Sequence, residues 1–392
     1  MTERTLPHDM EPLAGKGPAF GERPPVVPAD VMTLEDESKY GLSMWRLMWR
    51  KFKRNRFAMA GGVVVILFYL GAIFAPFVAP YSLEMRFTNR VYAPPMTLHL
   101  TSEGLVVYDY DYVLNMETFQ REFTPNEERP IRVRFFVRGE PYSILGVINS
   151  DIHLFGSDDP NTPVLLLGSD RQGRDMVTRI FMGSQISLSI GLVGVTLSLL
   201  IGTVFGVASG YYGGIIDELM QRVIEIIRAF PAVPLWMALS AAVPRTWPAL
   251  QTYFIITVIL SVIGWTWLAR QLRGRVLSLR QADFVVASKL AGASDGWIIF
   301  RHLIPATLSQ IIVVTTLAIP TMILAETALS FLGIGIRPPL TSWGVLLNEI
   351  KNVATLSHYR WLFTPVLFVS GAVLAFNFLG DGIRDAADPY SM

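Results

Sequence analysis

Two long stretches of this sequence, 57–83 and 180–216, contain no charged residue at all. A helix needs roughly 20 apolar residues to cross the hydrocarbon core of a bilayer, which is about 30 Å thick. The whole chain agrees with these stretches, since 51% of its 392 residues are hydrophobic and 17% are charged, against about 25% charged in a soluble domain. The sequence therefore predicts a polytopic α-helical membrane protein.

Six charge-poor segments have the length of membrane spans. They lie at about 57–80, 180–216, 224–243, 250–268, 308–332 and 361–379. The third contains Pro231 and Pro234, and proline inside a helix removes a backbone hydrogen bond, so a kink or break is expected there. Six spans would place both chain ends on the same side of the membrane.

Clustered basic residues set the expected orientation. Residues 40–56 combine apolar side chains at helical spacing with Lys and Arg, which predicts an amphipathic interfacial helix; with the first span it forms the segment 40–80. A second basic stretch occupies about 270–305. Because cytoplasmic loops are enriched in Lys and Arg, both stretches and both termini are expected in the cytoplasm. Segment 1–39, rich in Pro, Gly and acidic residues, predicts a disordered cytoplasmic tail.

The segment 81–178 between the first two spans differs in composition from the rest. "TLHL", "LVVYDYDYVL" and "IRVRFFVR" alternate as strands do, and turn residues such as "TPNEERP" separate them. We expect a β-rich domain here, outside the cytoplasm. The remaining segment, 179–392, holds spans two to six.

Three glycines of the second span stand four residues apart, at Gly202, Gly206 and Gly210. Small residues on one helix face let two helices approach closely in lipid. General helix packing is the simpler explanation for them, and a contact that moves during function is the alternative.

The loop between spans four and five mixes charge with apolar surface. Its portion "SKLAGASDGWIIFRHLIP" has the apolar block 297–300 among charged residues. Gly292 can adopt a positive φ and end a helix, and Ser294 is a favourable N-cap for a second helix. The sequence predicts two short helices joined at Gly292. Such an element fits a groove on a partner protein; a loop that rests on the bilayer is the alternative.

Several blocks of the sequence resemble the permease subunits of ABC importers, in the dipeptide, oligopeptide and nickel branch. They include "FKRNRFAMAGGVVVILFYLGAIFAPFVAPY", "LGSDRQGRDMVTRIFMGSQISLSIG" and "LAFNFLGDGIRDAADP", in the order of that family. The resemblance covers about 45–80 and 153–390 and does not cover the insert from about 81 to 151. The loop resembles the family's coupling loop at Ala287 and Gly292, and departs from it at Val286, where the family often has an acidic residue.

The resemblance implies an all-α polytopic protein of a bacterial inner membrane, with six transmembrane helices of the type I ABC-importer kind, to which the strand-like alternation adds an inserted β-rich periplasmic domain. It implies no cofactor in this chain, because ATP and Mg would bind in partner subunits. The implied partners are a paralogous permease subunit, two ATPase subunits, a periplasmic solute-binding protein and the lipid bilayer, with no nucleic acid. The implied ATPase-coupling residues are Phe284, Ala287, Ser288, Leu290, Gly292, Ala293, Ser294 and Trp297.

Polar residues in and beside the spans allow two interpretations each. Glu326 lies inside span five, where a carboxylate is costly; it either lines the pathway or is a hydrogen-bonded packing element. The stretch "GSDRQGRD" before span two is expected to be a turn in which Arg174 ties Asp side chains, with solute or metal binding as the alternative. Asp381, Arg384 and Asp385 follow span six and predict a cytoplasmic cap or a second ATPase contact.

The expected function is that of a permease subunit that moves a solute, by family default a di- or oligopeptide; an opine, an oligosaccharide or a nickel chelate is the alternative. No phosphate-loop motif or catalytic constellation appears in the sequence, so we expect no enzyme activity in this chain. An ATPase-independent channel or secondary transporter would need inverted repeats and several intramembrane charges, of which only Glu326 stands out.

Overall fold

The computed structural model describes residues 44–102, 104–117, 120–159 and 162–387. Within these ranges the molecule is mostly helical, with a β-rich region between its first two membrane helices. Five helices are long and apolar enough to span a membrane, and one bent helix pair makes a sixth. These features confirm the predicted fold class. The tail predicted at 1–39 lies outside the described residues.

A short separate helix precedes the first membrane span. The N-terminal helices are α1 (Met44–Arg54), α2 (Arg56–Ile73) and α3 (Ala75–Val78). Asn55 separates α1 from α2, and its Oδ1 accepts a hydrogen bond from the Ala58 N–H at 3.1 Å, which caps α2. Phe52 of α1 packs with Ala58 and Ala386. The contact of α1 with the bilayer surface stays a prediction.

The segment after α3 forms the expected β structure. β1 pairs with β2 and β2 with β3 in one antiparallel sheet, while β4 and β5 form a separate two-stranded sheet. The stretch "IRVRFFVR" is divided between β3 and β4. After a 3₁₀ turn (Thr88–Arg90), the strands are β1 (His99–Thr101), β2 (Gly104–Asn115), β3 (Gln120–Arg132), β4 (Arg134–Ile144) and β5 (Ile148–Gly156).

The expected turn "TPNEERP" is wrong, because these residues lie inside β3. Tyr108 of β2 pairs with Pro130, whereas the next residue, Asp109, pairs with Asn126. The residues between Asn126 and Pro130 therefore bulge out of the ladder. Proline cannot donate to a ladder and is tolerated at bulges, so the turn-forming residues bend the strand without reversing the chain.

Buried polar contacts attach the β region to the end of the first span and join distant parts of the insert. The two ring nitrogens of His153, on β5, lie 2.5 Å from the carbonyl oxygen of Ala79 and 3.0 Å from that of Glu140. Tyr81 Oη accepts a hydrogen bond from the Val164 N–H at 2.7 Å. The Ala79 contact thus holds the insert against the residue that follows α3, and the Tyr81–Val164 bond joins the beginning of the insert to a later part of it.

The third span is broken, as the prolines predict. Gly213 and Gly214 have φ angles of +66° and +55° and turn the chain after the second span. Pro231 then separates two helices that meet at an angle of 82°. The helices of this region are α4 (Met176–Tyr212), α5 (Gly214–Ala229), α6 (Ala232–Ala241) and α7 (Ala249–Leu279).

The rest of the chain adds two long helices and several short ones. Trp343, at the start of α11, is fully buried in the largest core cluster, where it meets Val65 of the first span, Ile180 of the second and Phe376 of the last. The elements are α8 (Asp283–Leu290), α9 (Asp295–Ile298), a π-helical turn (Ile299–Leu303), α10 (Ile304–Phe331), α11 (Trp343–Leu347), α12 (Val353–His358) and α13 (Thr364–Ala387), with 3₁₀ turns at Asn348–Lys351 and Arg360–Phe363.

The glycine face of α4 packs directly on α7. A Cβ atom at Gly206 would lie 2.7 Å from the Ala269 carbonyl oxygen, and one at Gly210 would lie 2.8 Å from Val276 Cβ. Separations this short leave no room for a side chain. The three glycines thus serve close packing within this chain, and whether this contact moves stays a hypothesis.

We expect Gly206→Ala to destabilise the protein, because the added methyl group meets backbone atoms of α7 that cannot rotate away. Overpacking of this kind costs about 1–3 kcal/mol, more than the up to ~1 kcal/mol that alanine gains over glycine in a helix. Gly62→Ala is the control, since its nearest contact would be an ordinary 3.6 Å. Chemical unfolding in detergent measures both variants, and equal stabilities would contradict the close packing.

Candidate functional site

The loop between α7 and α10 folds as the sequence predicts. Gly292 has a φ angle of +81°, and it lies between α8 and α9. Ser294 Oγ accepts a hydrogen bond from the Trp297 N–H at 3.3 Å and caps α9. The π-helical turn then joins α9 to α10 without a break. The predicted pair of helices joined at Gly292 is confirmed.

One side of this loop is buried against the bundle. Val285 and Ile298 are fully buried and pack with Val207, at the end of α4, and with Val276 of α7. Tyr211 Oη donates a hydrogen bond to the Asp295 carboxylate at 2.6 Å. The loop is therefore held by two different spans, and its position follows theirs.

The other side of the loop is open to the surroundings. Leu290 is 85% exposed and Trp297 is 50% exposed. His302 supports this side from beneath, since its ring contacts those of Phe284 and Trp297 and its Nε2 lies 2.9 Å from Ser288 Oγ. Of the eight residues predicted to couple, Ser288 and Ala293 are half-buried, and the six exposed ones, which we name the outer face of the loop, are Phe284, Ala287, Leu290, Gly292, Ser294 and Trp297.

A buried ion cluster occupies the turn before α4. The Asp170 carboxylate accepts hydrogen bonds from Arg174 Nε at 2.6 Å and from Arg179 Nη1 at 2.5 Å. Arg179 Nη1 also donates to Glu349 Oε1 at 2.6 Å. The cluster holds two positive and two negative charges, and it ties this turn to the segment after α11. The predicted structural turn is confirmed, with Arg174 bound to Asp170.

Asp175 has a different role in the same turn. Its Oδ2 accepts a hydrogen bond from the Thr178 N–H at 2.7 Å and caps α4. Its Oδ1 is buried without a hydrogen-bond partner among the described residues. Burial raises the pKa of Asp175 from 3.8 to about 6, an effect that the hydrogen bonds from the cap oppose.

Glu326 is fully buried between α10 and α4. Its carboxyl oxygens accept hydrogen bonds from Ser187 Oγ at 3.1 Å and Ser330 Oγ at 2.6 Å. Each serine oxygen accepts in turn from a backbone N–H, that of Trp343 at 3.1 Å and that of Ile336 at 3.0 Å. Glu326 thereby joins both ends of the segment that links α10 to α11.

Two functional residues of the ion cluster escaped the sequence analysis. Arg179 lies inside the apolar start of α4, and Glu349 lies 170 residues further along the chain. The signal for Arg179 was a lone cation at the edge of a span, which requires a partner, but nothing in the sequence pointed to Glu349. Among the described residues, no group of His, Asp or Glu could hold a metal ion.

Among the described residues, five helices long and apolar enough to span a membrane and a bent helix pair define a polytopic membrane protein, and a partly exposed two-helix loop joins two of its spans. Residues 202–390 match the family described as the binding-protein-dependent transport system inner membrane component. Residues 43–95 match the N-terminal transmembrane domain of oligopeptide transport permease C.

Three relatives match nearly the whole chain. The oligopeptide transport system permease protein OppC of Bacillus subtilis (strain 168) is 31% identical over 356 residues, 91% of this chain and 92% of its own. The dipeptide transport system permease protein DppC of the same organism is 32% identical over 89% of this chain and 86% of its own. The glutathione transport system permease protein GsiD of Escherichia coli O6:K15:H31 is 32% identical over 88% and 90%.

This chain therefore belongs to the permease family of binding-protein-dependent ABC importers. It is a multi-pass component of a bacterial inner membrane, it transports and does not catalyse, and it operates with an ATPase and a binding protein. The three matches are 356, 348 and 345 residues long, and each is longer than the part of the chain that lies outside 81–151. They consequently extend into the insert, where the resemblance of sequence blocks had stopped.

Replacing Glu326 should separate a packing role from a pathway role. Glu326→Leu leaves the two serine hydroxyls without their acceptor, and each unsatisfied buried group costs about 1–3 kcal/mol. Glu326→Gln keeps the shape and one acceptor oxygen and should cost less. Unfolding in detergent and uptake in proteoliposomes are measured in parallel. Wild-type stability with lost uptake in both variants would instead assign Glu326 to the pathway.

Asp175 should make stability depend on pH. Its folded-state pKa lies above its unfolded value, so the folded protein retains a proton that the unfolded chain releases between about pH 4 and pH 6. The free energy of unfolding should therefore fall by roughly 2–3 kcal/mol as the pH rises through that window. Asp175→Asn keeps a capping oxygen and should remove this slope. Asp158→Asn, at a half-exposed carboxylate, should preserve it; an unchanged slope in Asp175→Asn would refute the assignment.

Proposed function

We propose that this chain is one of two permease subunits of an importer for di- or oligopeptides delivered by a periplasmic binding protein. The three relatives are named for oligopeptides, dipeptides and glutathione, and glutathione is itself a peptide. Peptide chemistry is thus common to relatives that differ in the particular solute. A paralogous permease, two ATPase subunits and the binding protein complete the proposed assembly, with both termini of this chain in the cytoplasm.

The observation that carries the mechanism is the two-sided loop between α7 and α10. The outer face presents Leu290 and Trp297, apolar side chains that water does not favour. The proposed occupant of this face is a cleft of an ATPase subunit, which would cover that apolar area. Phe300, 75% exposed, adds to the same surface.

The buried side of the loop would transmit the movement. When two ATPase subunits close on ATP, the loops in their clefts move with them. Because Ile298 and Asp295 are held by α4 and α7, a displaced loop displaces the ends of both spans. Alternation then requires that the ATP-bound ATPase favours one arrangement of the spans over the other.

We also propose that Glu326 braces the outer segment and does not line the pathway. Its carboxyl group is fully buried and occupied by two serine hydroxyls. A brace of this kind would keep the outer ends of α4 and α10 together while their inner ends follow the loops.

A cysteine cross-link tests the docking proposal directly, because this chain contains no cysteine. Ala287→Cys, in the outer face, should cross-link to an ATPase subunit in the assembled transporter. Val147→Cys is the control, since Val147 is 82% exposed and lies in the β region; it should react only with thiol reagents applied from outside. Cross-linking of Ala287→Cys to lipid-phase probes alone during turnover would eliminate the docking proposal.

Charge in the outer face should uncouple the transporter. We expect Leu290→Asp and Ala287→Asp to reduce uptake at least tenfold while ATP hydrolysis persists or the ATPase dissociates, since a carboxylate would be desolvated in an apolar contact. Val147→Asp is the matched control for an exposed apolar residue. Gly292→Trp should have the same effect, with an added cost for its positive φ. Normal uptake in all three loop variants is the contrary result.

Competition for uptake tests the solute class. Radiolabelled dipeptides and oligopeptides should be imported by the reconstituted transporter with its own binding protein, and unlabelled peptides should compete. Import of an opine, an oligosaccharide or a nickel chelate with no effect of peptides would replace the peptide proposal by that class.

A further inference from the structure

A cavity of about 690 Å³ lies beside the loop end of α7. Its walls come from three helices, with Arg228 on α5, Gln310 on α10 and a face of α7. The α7 residues Trp267, Gln271 and Arg275 recur every four residues, and Arg270 lies three residues after Trp267, which places them on one side of the helix. The cavity therefore lies between spans and close to the proposed cytoplasmic surface.

The charge of this cavity is one-sided. Three arginines line it, and none of its lining residues is acidic. Among the described residues, Arg228, Arg270 and Arg275 have no carboxylate within 4.0 Å. Arg228 instead lies over the Trp267 ring, with its guanidinium carbon 5.4 Å from the ring centre. Like charges gathered in one recess repel one another, so this arrangement favours a bound anion.

Two other arginines of α7 and the loop that follows it have hydrogen-bond partners outside the cavity. Arg273 points to another side of α7 and binds Asp217 through two bonds of 2.5 and 2.7 Å. Arg280 donates to the carbonyl oxygen of Gly210 at 3.4 Å. Arg273 and Arg280 are thus paired, whereas no carboxylate of the described residues pairs with the three arginines that line the cavity.

The recess also supplies neutral polar groups. Gln310 Nε2 donates to Gln271 Oε1 at 3.4 Å across the cavity. Guanidinium groups present planar pairs of N–H donors that match the oxygens of phosphate, and basic pockets between spans suit anionic headgroups.

We propose that this cavity binds a phosphate oxyanion, held by Arg228, Arg270 and Arg275. The phosphate is carried either by the headgroup of an anionic phospholipid or by a soluble phosphate, and both sources offer the same chemistry to the three guanidinium groups. Occupancy joins the end of α5 to the end of α7, beside the loop that the ATPase is proposed to move.

Two binding assays on the purified, assembled transporter test the site without ATP or solute. The first counts phosphatidylglycerol retained after delipidation by native mass spectrometry. The second measures equilibrium binding of radiolabelled inorganic phosphate in lipid-free detergent. The variants are Arg270→Gln with Arg275→Gln, and the charge-preserving pair Arg270→Lys with Arg275→Lys. Arg222→Gln is the control, because Arg222 is an exposed residue of α5 that is paired with Glu225 outside the cavity.

The glutamine pair should weaken binding at least tenfold, since it removes two charged hydrogen-bond donors from the anion. The lysine pair should weaken it several-fold, and Arg222→Gln should match wild type. Loss of retained lipid alone identifies the headgroup as the source, and loss of phosphate binding alone identifies the soluble anion. If the glutamine pair folds poorly, the lysine pair carries the comparison. Binding of neither anion, or equal binding by wild type and both pairs, overturns the proposal.

Discussion

The close contact between α4 and α7 is the constraint on which the other features depend. Gly206 and Gly210 let the backbone of α4 approach α7 to distances that no side chain would permit. With 37 residues, α4 is about 55 Å long and exceeds the thickness of a bilayer core. Its N-terminal end carries the ion cluster, its N-terminal half carries the serine that binds Glu326, and its C-terminal end holds the loop. One helix therefore connects the ion cluster, Glu326 and the loop.

Different kinds of interaction hold the two ends of α4. At the N-terminal end of α4, the Asp170 cluster is buried and has equal numbers of positive and negative charges. Its members therefore stabilise one another only while all of them remain in place. At the C-terminal end of α4, apolar burial around Val285 and one hydrogen bond from Tyr211 hold the loop. Apolar contacts tolerate small displacements better than a buried ionic network does. This asymmetry supports the proposal that the ATPase-driven loop displaces the C-terminal end of α4 while the N-terminal end stays in place.

Family membership and the proposed phosphate site rest on separate observations. Membership in the binding-protein-dependent importer permeases follows from matches along the whole chain. The cavity is a property of this chain's own packing, because its three arginines have no carboxylate partner among the described residues whereas Arg273 binds Asp217. A phosphate bound at the proposed site would join the end of α5 to the end of α7, one of the helices that hold the loop.

Local features of the sequence determined the spans, the break at Pro231 and the paired helices around Gly292. Each follows from the chemistry of nearby residues: apolar length, a missing N–H, and a positive φ. Tertiary structure alone decided that Arg179 binds Glu349, that Glu326 is satisfied by two serines, and that "TPNEERP" bulges within a strand instead of turning the chain. These outcomes depend on residues far apart in sequence, whose meeting is set by helix packing and strand register and not by any local pattern.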